Sequence, residues 1–131
     1  MPPELIAEHG ETMMWSRMSG NILWTIDVIR ELYGEAVFVN HPNYGTPYRG
    51  LRPWNYNDGS DISPHKCGIA IDFNFAQTTH AKFLNDVLTK RDQPEFQFIT
   101  GIEDFPGITW NHIDNRNWPF INGKPLVFGK T

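Results

Sequence analysis

Cysteine is nearly absent from this 131-residue sequence: Cys67 stands alone, so an internal disulfide is excluded, as is any metal site built on several thiolates. Long apolar runs are absent too. None approaches the roughly 20 residues needed to cross a bilayer, so no membrane insertion is expected. Basic residues are in the minority, 11 against 15 acidic, for a formal charge of −4. They are scattered rather than gathered into a stripe, which argues against nucleic acid as a partner. The first 14 residues carry Glu4, Glu8, His9 and Glu11 instead of the basic-then-apolar pattern of a signal peptide. The expectation is a protein made soluble in the cytoplasm without a signal peptide. Repeats and low-complexity tracts are also missing.

Apolar side chains are plentiful. Hydrophobic residues make up 40% and aromatics 14%, far too apolar for disorder, and the length suits one compact domain over 1–131. Residues 1–14 read as a loosely ordered N-terminal extension. Met14, Met18, Ile22, Ile26, Ile29 and Tyr33 recur at helical spacing, which predicts an amphipathic helix, firm over Ile22 to Tyr33 and ended by Gly34. Ala36 to Val39 reads as a short strand. From Asn40 to Ser63 the chain is rich in Pro, Gly, Asn and Asp, a long loop in which Tyr44, Tyr48 and Trp54 are placed to wall a cleft.

Gly68 to Phe75 returns to strand character, and Thr79 to Lys90 predicts the second helix. Phe96 to Thr100 and Ile108 to Asp114 read as strands around a turn at Pro106-Gly107, and a last hairpin is expected near Asn122-Gly123. Late strands without helical crossovers imply an α+β domain, a mainly antiparallel sheet with two principal helices.

Two stretches carry chemistry. In Ser63-Pro64-His65-Lys66-Cys67-Gly68-Ile69-Ala70-Ile71-Asp72, strand alternation puts Ala70 and Asp72 on one face and Ile69, Ile71 and Phe73 on the other. A carboxylate between Ile71 and Phe73 is costly near a core unless a cation holds it, and His65 can arrive from the preceding turn. Gly68 is expected to let the backbone pass close to such a site. In Ile108-Thr109-Trp110-Asn111-His112-Ile113-Asp114, alternation puts Ile108, Trp110, His112 and Asp114 on one face. Two imidazoles and a carboxylate from separate segments suit a three-ligand zinc ion with a fourth position open; other divalent ions also accept this donor set.

The first stretch resembles the Ser-x-His-x-x-Gly-x-Ala-x-Asp signature of the zinc D-alanyl-D-alanine carboxypeptidases, with every fixed position matched. That superfamily also holds phage endolysin peptidases and the Hedgehog signalling domain. The second stretch is similar to its later aromatic-x-His-x-Asp motif, and Arg116 followed by Trp118 resembles the ending of some members. The resemblance spans Ile22 to Trp118. It implies a Hedgehog/DD-peptidase-like fold, Zn2+ held by His65, Asp72 and His112, and hydrolysis of peptidoglycan stem peptides at a D-alanine-containing bond, as a carboxypeptidase or an endolysin-type endopeptidase acting at the bacterial cell wall. It also implies a substrate-clamping arginine, for which Arg52 in Gly50-Leu51-Arg52-Pro53 is preferred and Arg49 held in reserve.

One position departs from the pattern. Many members place a catalytic acid three residues before the last ligand, where this chain has Thr109. Asp114 is the preferred replacement as general base, with a role in orienting an imidazole as its alternative, and Asp104 is the second candidate. A module of the same fold that binds zinc or cell wall without catalysis is the rival expectation. Cys67 reads as a buried inert thiol, Trp24 as core, and His9, His41 and His80 as surface residues.

Overall fold

The computed structural model describes residues 2–39, 65, 67–116 and 124–129. Two short helices open the chain, α1 (Pro3–His9) and α2 (Glu11–Ser16), followed by α3 (Gly20–Tyr33). The N-terminal segment expected to be loose is therefore helical, and Met14 within it is fully buried. The predicted helical periodicity from Met14 to Tyr33 is split between α2 and α3. Ser19 divides them: its hydroxyl caps α3 by accepting from the Ile22 amide at 3.4 Å, and its own amide donates to Gly68 O at 2.7 Å. Gly34 ends α3 in the left-handed conformation, as its position predicts.

Strands β1 (Val37–Phe38) and β2 (Ala70–Phe75) come next, then α4 (His80–Thr89), capped by the Thr79 hydroxyl on the Lys82 amide. The predicted strand from Phe96 to Thr100 is corrected. Pro94 sets a 3-10 turn over Pro94–Phe96, and Phe96 and Ile99 both enter the core from this irregular segment. Strand β3 (Gly101–Glu103) begins only afterwards. Strand β4 (Asn111–Asp114) is shorter than expected, and the turn at Pro106-Gly107 stands, closed by the Ile108 amide on Phe105 O. Strand β5 (Leu126–Phe128) completes a sheet of order β1-β2-β4-β3-β5. The expected hairpin near Asn122-Gly123 lies outside the described residues.

This is a single-domain α+β arrangement with a mixed sheet: three pairings are antiparallel, and β3 with β5 is parallel. Ile71 and Phe73 on β2, Ile102 on β3 and Ile113 on β4 join Ile22 and Ile29 of α3 and Phe83 and Val87 of α4 in one core. Phe83 packs edge-on against Phe73 and Phe96 at 5.5 and 6.0 Å, so its truncation to Ala is expected to cost about 3–5 kcal/mol. Tyr33 ties α3 to α4 through a 2.7 Å hydrogen bond to Asp86, which Lys82 also bonds. Trp24, expected in the core, is 40% exposed and rests edge-on against Phe98. Among the described residues, no helix is long and apolar enough to cross a membrane.

Candidate metal centre

The sheet's other face carries the polar side chains. Register pairs Asp72 with His112 and Ala70 with Asp114 across β2 and β4, and Gly101 with Asp114 across β3 and β4. Directly opposed residues share a face, with Cβ atoms roughly 4.5–5.5 Å apart. Two rows result. One holds Ala70, Asp114 and Gly101; the next holds Asp72 and His112, and continuing the β3 register by one residue brings Glu103 alongside His112. Phe128 on β5 pairs with Glu103 at the end of that row.

His65 reaches this face from the turn before β2, where the Gly68 amide closes on His65 O at 3.2 Å. Gly68 has a different purpose from the one expected. Its φ is +74°, and a Cβ there would sit 2.3 Å from Arg17 O, so the glycine admits the α2–α3 junction rather than the metal site. Cys67, expected buried, is exposed.

The donor atoms converge. His65 Nε2 lies 3.2 Å from His112 Nδ1 and 3.2 Å from Asp72 Oδ1, and His112 Nδ1 lies 2.8 Å from Asp72 Oδ1. All three residues are buried. Zinc bonds of about 2.0–2.2 Å place tetrahedral donors about 3.3–3.5 Å apart, close to these edges. Hydrogen bonding alone serves the cluster poorly, because His112 Nδ1 has at most one proton to offer to two neighbours. A shared cation would satisfy all three lone pairs together, so the residues present fit a small divalent ion.

The surroundings fix which nitrogen of His112 faces the triangle. Asp114 Oδ2 lies 2.9 Å from His112 Nε2, while Arg116 donates to Asp114 through Nε at 2.7 Å and a terminal nitrogen at 2.6 Å. With Nε2–H committed to Asp114, Nδ1 is free to ligate, the usual carboxylate–histidine support of a metal. Gly101 makes room for this ion pair: a Cβ there would stand 2.2 Å from Asp114 Oδ1. The Arg116 guanidinium lies 4.3 Å from the Phe128 ring centre, and that ring meets His112 edge-on.

Charge follows the contacts. Burial alone would raise the Asp72 pKa, but the His65 imidazole and the His112 hydrogen bond outweigh it and hold the carboxylate well below its ordinary range. Burial would lower His112, yet the bonds to Asp114 and Asp72 prevail and push it up to about 9. Burial likewise opposes ionisation of Asp114, and His112 with Arg116 overcomes it.

Of the residues singled out in the sequence, His65, Asp72 and His112 come together as expected. Neither candidate general base joins them. Asp114 is fully buried and engaged by His112 and Arg116. Asp104 turns to His80, with Oδ1 3.1 Å from His80 Nε2, and His80 is no free surface residue because its ring is only 8% exposed. Trp110 sits at a bend before β4 and packs edge-on against Phe105 at 5.5 Å instead of extending the strand alternation. Thr109 accepts from the Asn74 side chain through its carbonyl, at 2.7 Å. Arg49, Arg52, Tyr44, Tyr48 and Trp54 lie outside the described residues.

Sequence reasoning missed Glu103. It is 6% exposed and is carried by the strand next to His112. An acid alternating with Ile102 in Gly101-Ile102-Glu103 was the available signal, hidden because the predicted strand lay at Phe96 to Thr100 instead. Comparison of the chain with protein-family models, with curated proteins and with solved structures finds no match.

Proposed function

We propose that this chain is a zinc-dependent peptidase acting on peptidoglycan stem peptides at a D-alanine-containing bond. The carrying observation is the buried His65–Asp72–His112 triangle, with edges of 2.8–3.2 Å, beside a buried glutamate on the adjacent strand. Two imidazoles and one carboxylate are the donor set of a catalytic rather than a structural zinc. When bound, zinc supplies Lewis-acid polarisation of the scissile carbonyl and a lowered pKa for water.

The chain's own residues supply the rest. Asp114, braced by Arg116, holds the His112 ring in its ligating tautomer. Glu103 replaces the acid that Thr109 lacks: it takes a proton from the attacking water and returns it to the amine as the C–N bond breaks. Arg52, with Arg49 in reserve, is assigned the substrate carboxylate on the strength of the motif resemblance, through paired guanidinium hydrogen bonds.

The test is hydrolysis of purified muropeptides with and without chelator, by the wild type and by Glu103→Gln. Chelator-sensitive release of D-alanine or of cut stems is expected, with the variant slowed about 10²–10⁴-fold while retaining zinc. A rival reading, a metal-binding module without catalysis, is favoured by Thr109. It predicts zinc binding and no products from either protein.

A further inference from the structure

The three candidate ligands are not held alike. Asp72 and His112 pair with each other across β2 and β4, both interior strands of the sheet. His65 precedes β2 and belongs to no helix or strand. Its turn is tied instead to the N-terminal helices. The Gly68 amide donates to His65 O at 3.2 Å, and Gly68 O accepts from the Ser19 amide at 2.7 Å. A Cβ on Gly68 would stand 2.3 Å from Arg17 O and 3.4 Å from Met18 Cα, so the turn and the α2–α3 junction are closely apposed. The junction is seated in turn by α2. The Arg17 amide donates to Met14 O at 3.1 Å, and Met14 and Met18 are both buried in the core with Ile22. Backbone contacts and buried side chains therefore lead from Met14 to His65.

We propose that the α2–α3 junction is a positioning element of the metal centre: it seats the turn that presents His65, so zinc binding and the docking of α2 strengthen one another. The inference rests on the zinc site of the proposed function and adds a control on its affinity. The docking is the weaker partner. Helix α1 has seven residues and none of them buried, and α2 has six. Helices this short are unstable in isolation, so their place depends on tertiary anchors such as Met14. A segment with so few buried contacts opens at lower cost than the central sheet.

When the junction opens, the turn loses the bond to Ser19, and His65 is no longer fixed opposite Asp72 and His112. Only the closed fraction then offers three ligands, and the apparent dissociation constant rises as that fraction falls. Linkage is reciprocal. A seated α2 favours zinc, and zinc favours a seated α2 by the same factor. A junction that merely stabilised the fold would lower the unfolding midpoint and leave the zinc affinity of the folded protein where it was.

The experiment uses the full chain, with zinc itself as the probe. Ser19→Pro removes the amide that bonds Gly68 O, and the φ of −58° and ψ of 127° at Ser19 already suit proline. Ser19→Ala removes only the hydroxyl that caps α3. Met14→Ala loosens α2 from its other side, and Val87→Ala is a core truncation on α4. Zinc affinity is measured by competition with a chromophoric chelator, on variants shown to be folded by circular dichroism. Hydrogen exchange is followed with and without zinc. Ser19→Pro and Met14→Ala are expected to bind zinc about 10–100-fold more weakly. Ser19→Ala and Val87→Ala should stay near the wild-type affinity. Zinc should slow exchange over residues 11–19 beyond its effect on α4, and Ser19→Pro should lose that excess. Wild-type affinity in both Ser19→Pro and Met14→Ala overturns the coupling, as does an equal loss in Val87→Ala. Coupling without cleavage of muropeptides upholds this inference and sinks the peptidase; cleavage with a zinc affinity indifferent to the junction does the reverse.

Discussion

His112 Nε2 lies 2.9 Å from Asp114 Oδ2, two residues along the same strand, and this contact leaves Nδ1 facing His65 and Asp72. Asp114→Asn keeps the shape but allows the amide to present either a donor or an acceptor to the ring, so the ligating tautomer is no longer enforced. Zinc affinity is expected to fall about 10–100-fold, as read by competition with a chromophoric chelator. Unchanged affinity would remove Asp114 from the account.

Gly101 offers a test that touches no ligand. A methyl group at Gly101 would overlap Asp114 Oδ1 at 2.2 Å and crowd Arg116 Nε at 2.8 Å. Gly101→Ala is therefore expected to cost about 1–3 kcal/mol in urea unfolding and to weaken zinc binding with it. Gly68→Ala should destabilise as well, through the Arg17 carbonyl and a positive φ, even when zinc is absent. Zinc affinity untouched by Gly101→Ala would contradict the first expectation.

Zinc binding should release a proton. His112 in the metal-free protein is pushed up to about 9 by Asp114 and Asp72 against the effect of burial, so the ring is protonated at neutral pH. Metal and proton compete, and affinity should rise about tenfold per pH unit from pH 7 until the pH passes about 9. Calorimetry in buffers of different ionisation enthalpy reads the proton directly. Affinity independent of pH over this range would contradict the expectation.

Acid should unfold the metal-free protein. Asp72, Asp86 and Asp114 all sit below the ordinary carboxylate range: burial pushes each up, and cationic or hydrogen-bonding partners, His65 for Asp72 and Lys82 with Tyr33 for Asp86, push it further down. A depressed folded pKa contributes stability that is present above the unfolded value of about 3.9 and lost as the pH falls through the folded value. Urea midpoints should therefore hold between pH 6 and 5 and drop below about pH 4. Asp86→Asn should flatten part of that drop, and a midpoint unchanged down to pH 3 would contradict it.

Two members of the candidate triad, His65 and Asp72, were legible in the sequence because their spacing is local, whereas His112 stands 40 residues beyond Asp72 and was found through a second motif. Ala70 and Asp72 follow from strand alternation, and His65 precedes them by a single turn. Gly34 and Thr79 announced the end of α3 and the start of α4 through their own backbone chemistry. What the sequence hid depends on pairing between distant segments. Glu103 joins the row of Asp72 and His112 only through the β3–β4 register, and Gly101 has meaning only beside Asp114. Phe96 and Ile99 misled because an apolar segment that packs as a turn has the same composition as a strand, with Pro94 the one local clue. His80 gave no local pattern, since its partners lie 24 and 31 residues away.

Metal content tests the central claim most directly. Elemental analysis of the purified full chain, with zinc titration of the chelator-stripped protein, should give one zinc per chain in the wild type and none in His65→Ala or His112→Ala, each still folded by circular dichroism. A wild type that binds no zinc, or an alanine variant that keeps it at full affinity, would contradict the account at its foundation.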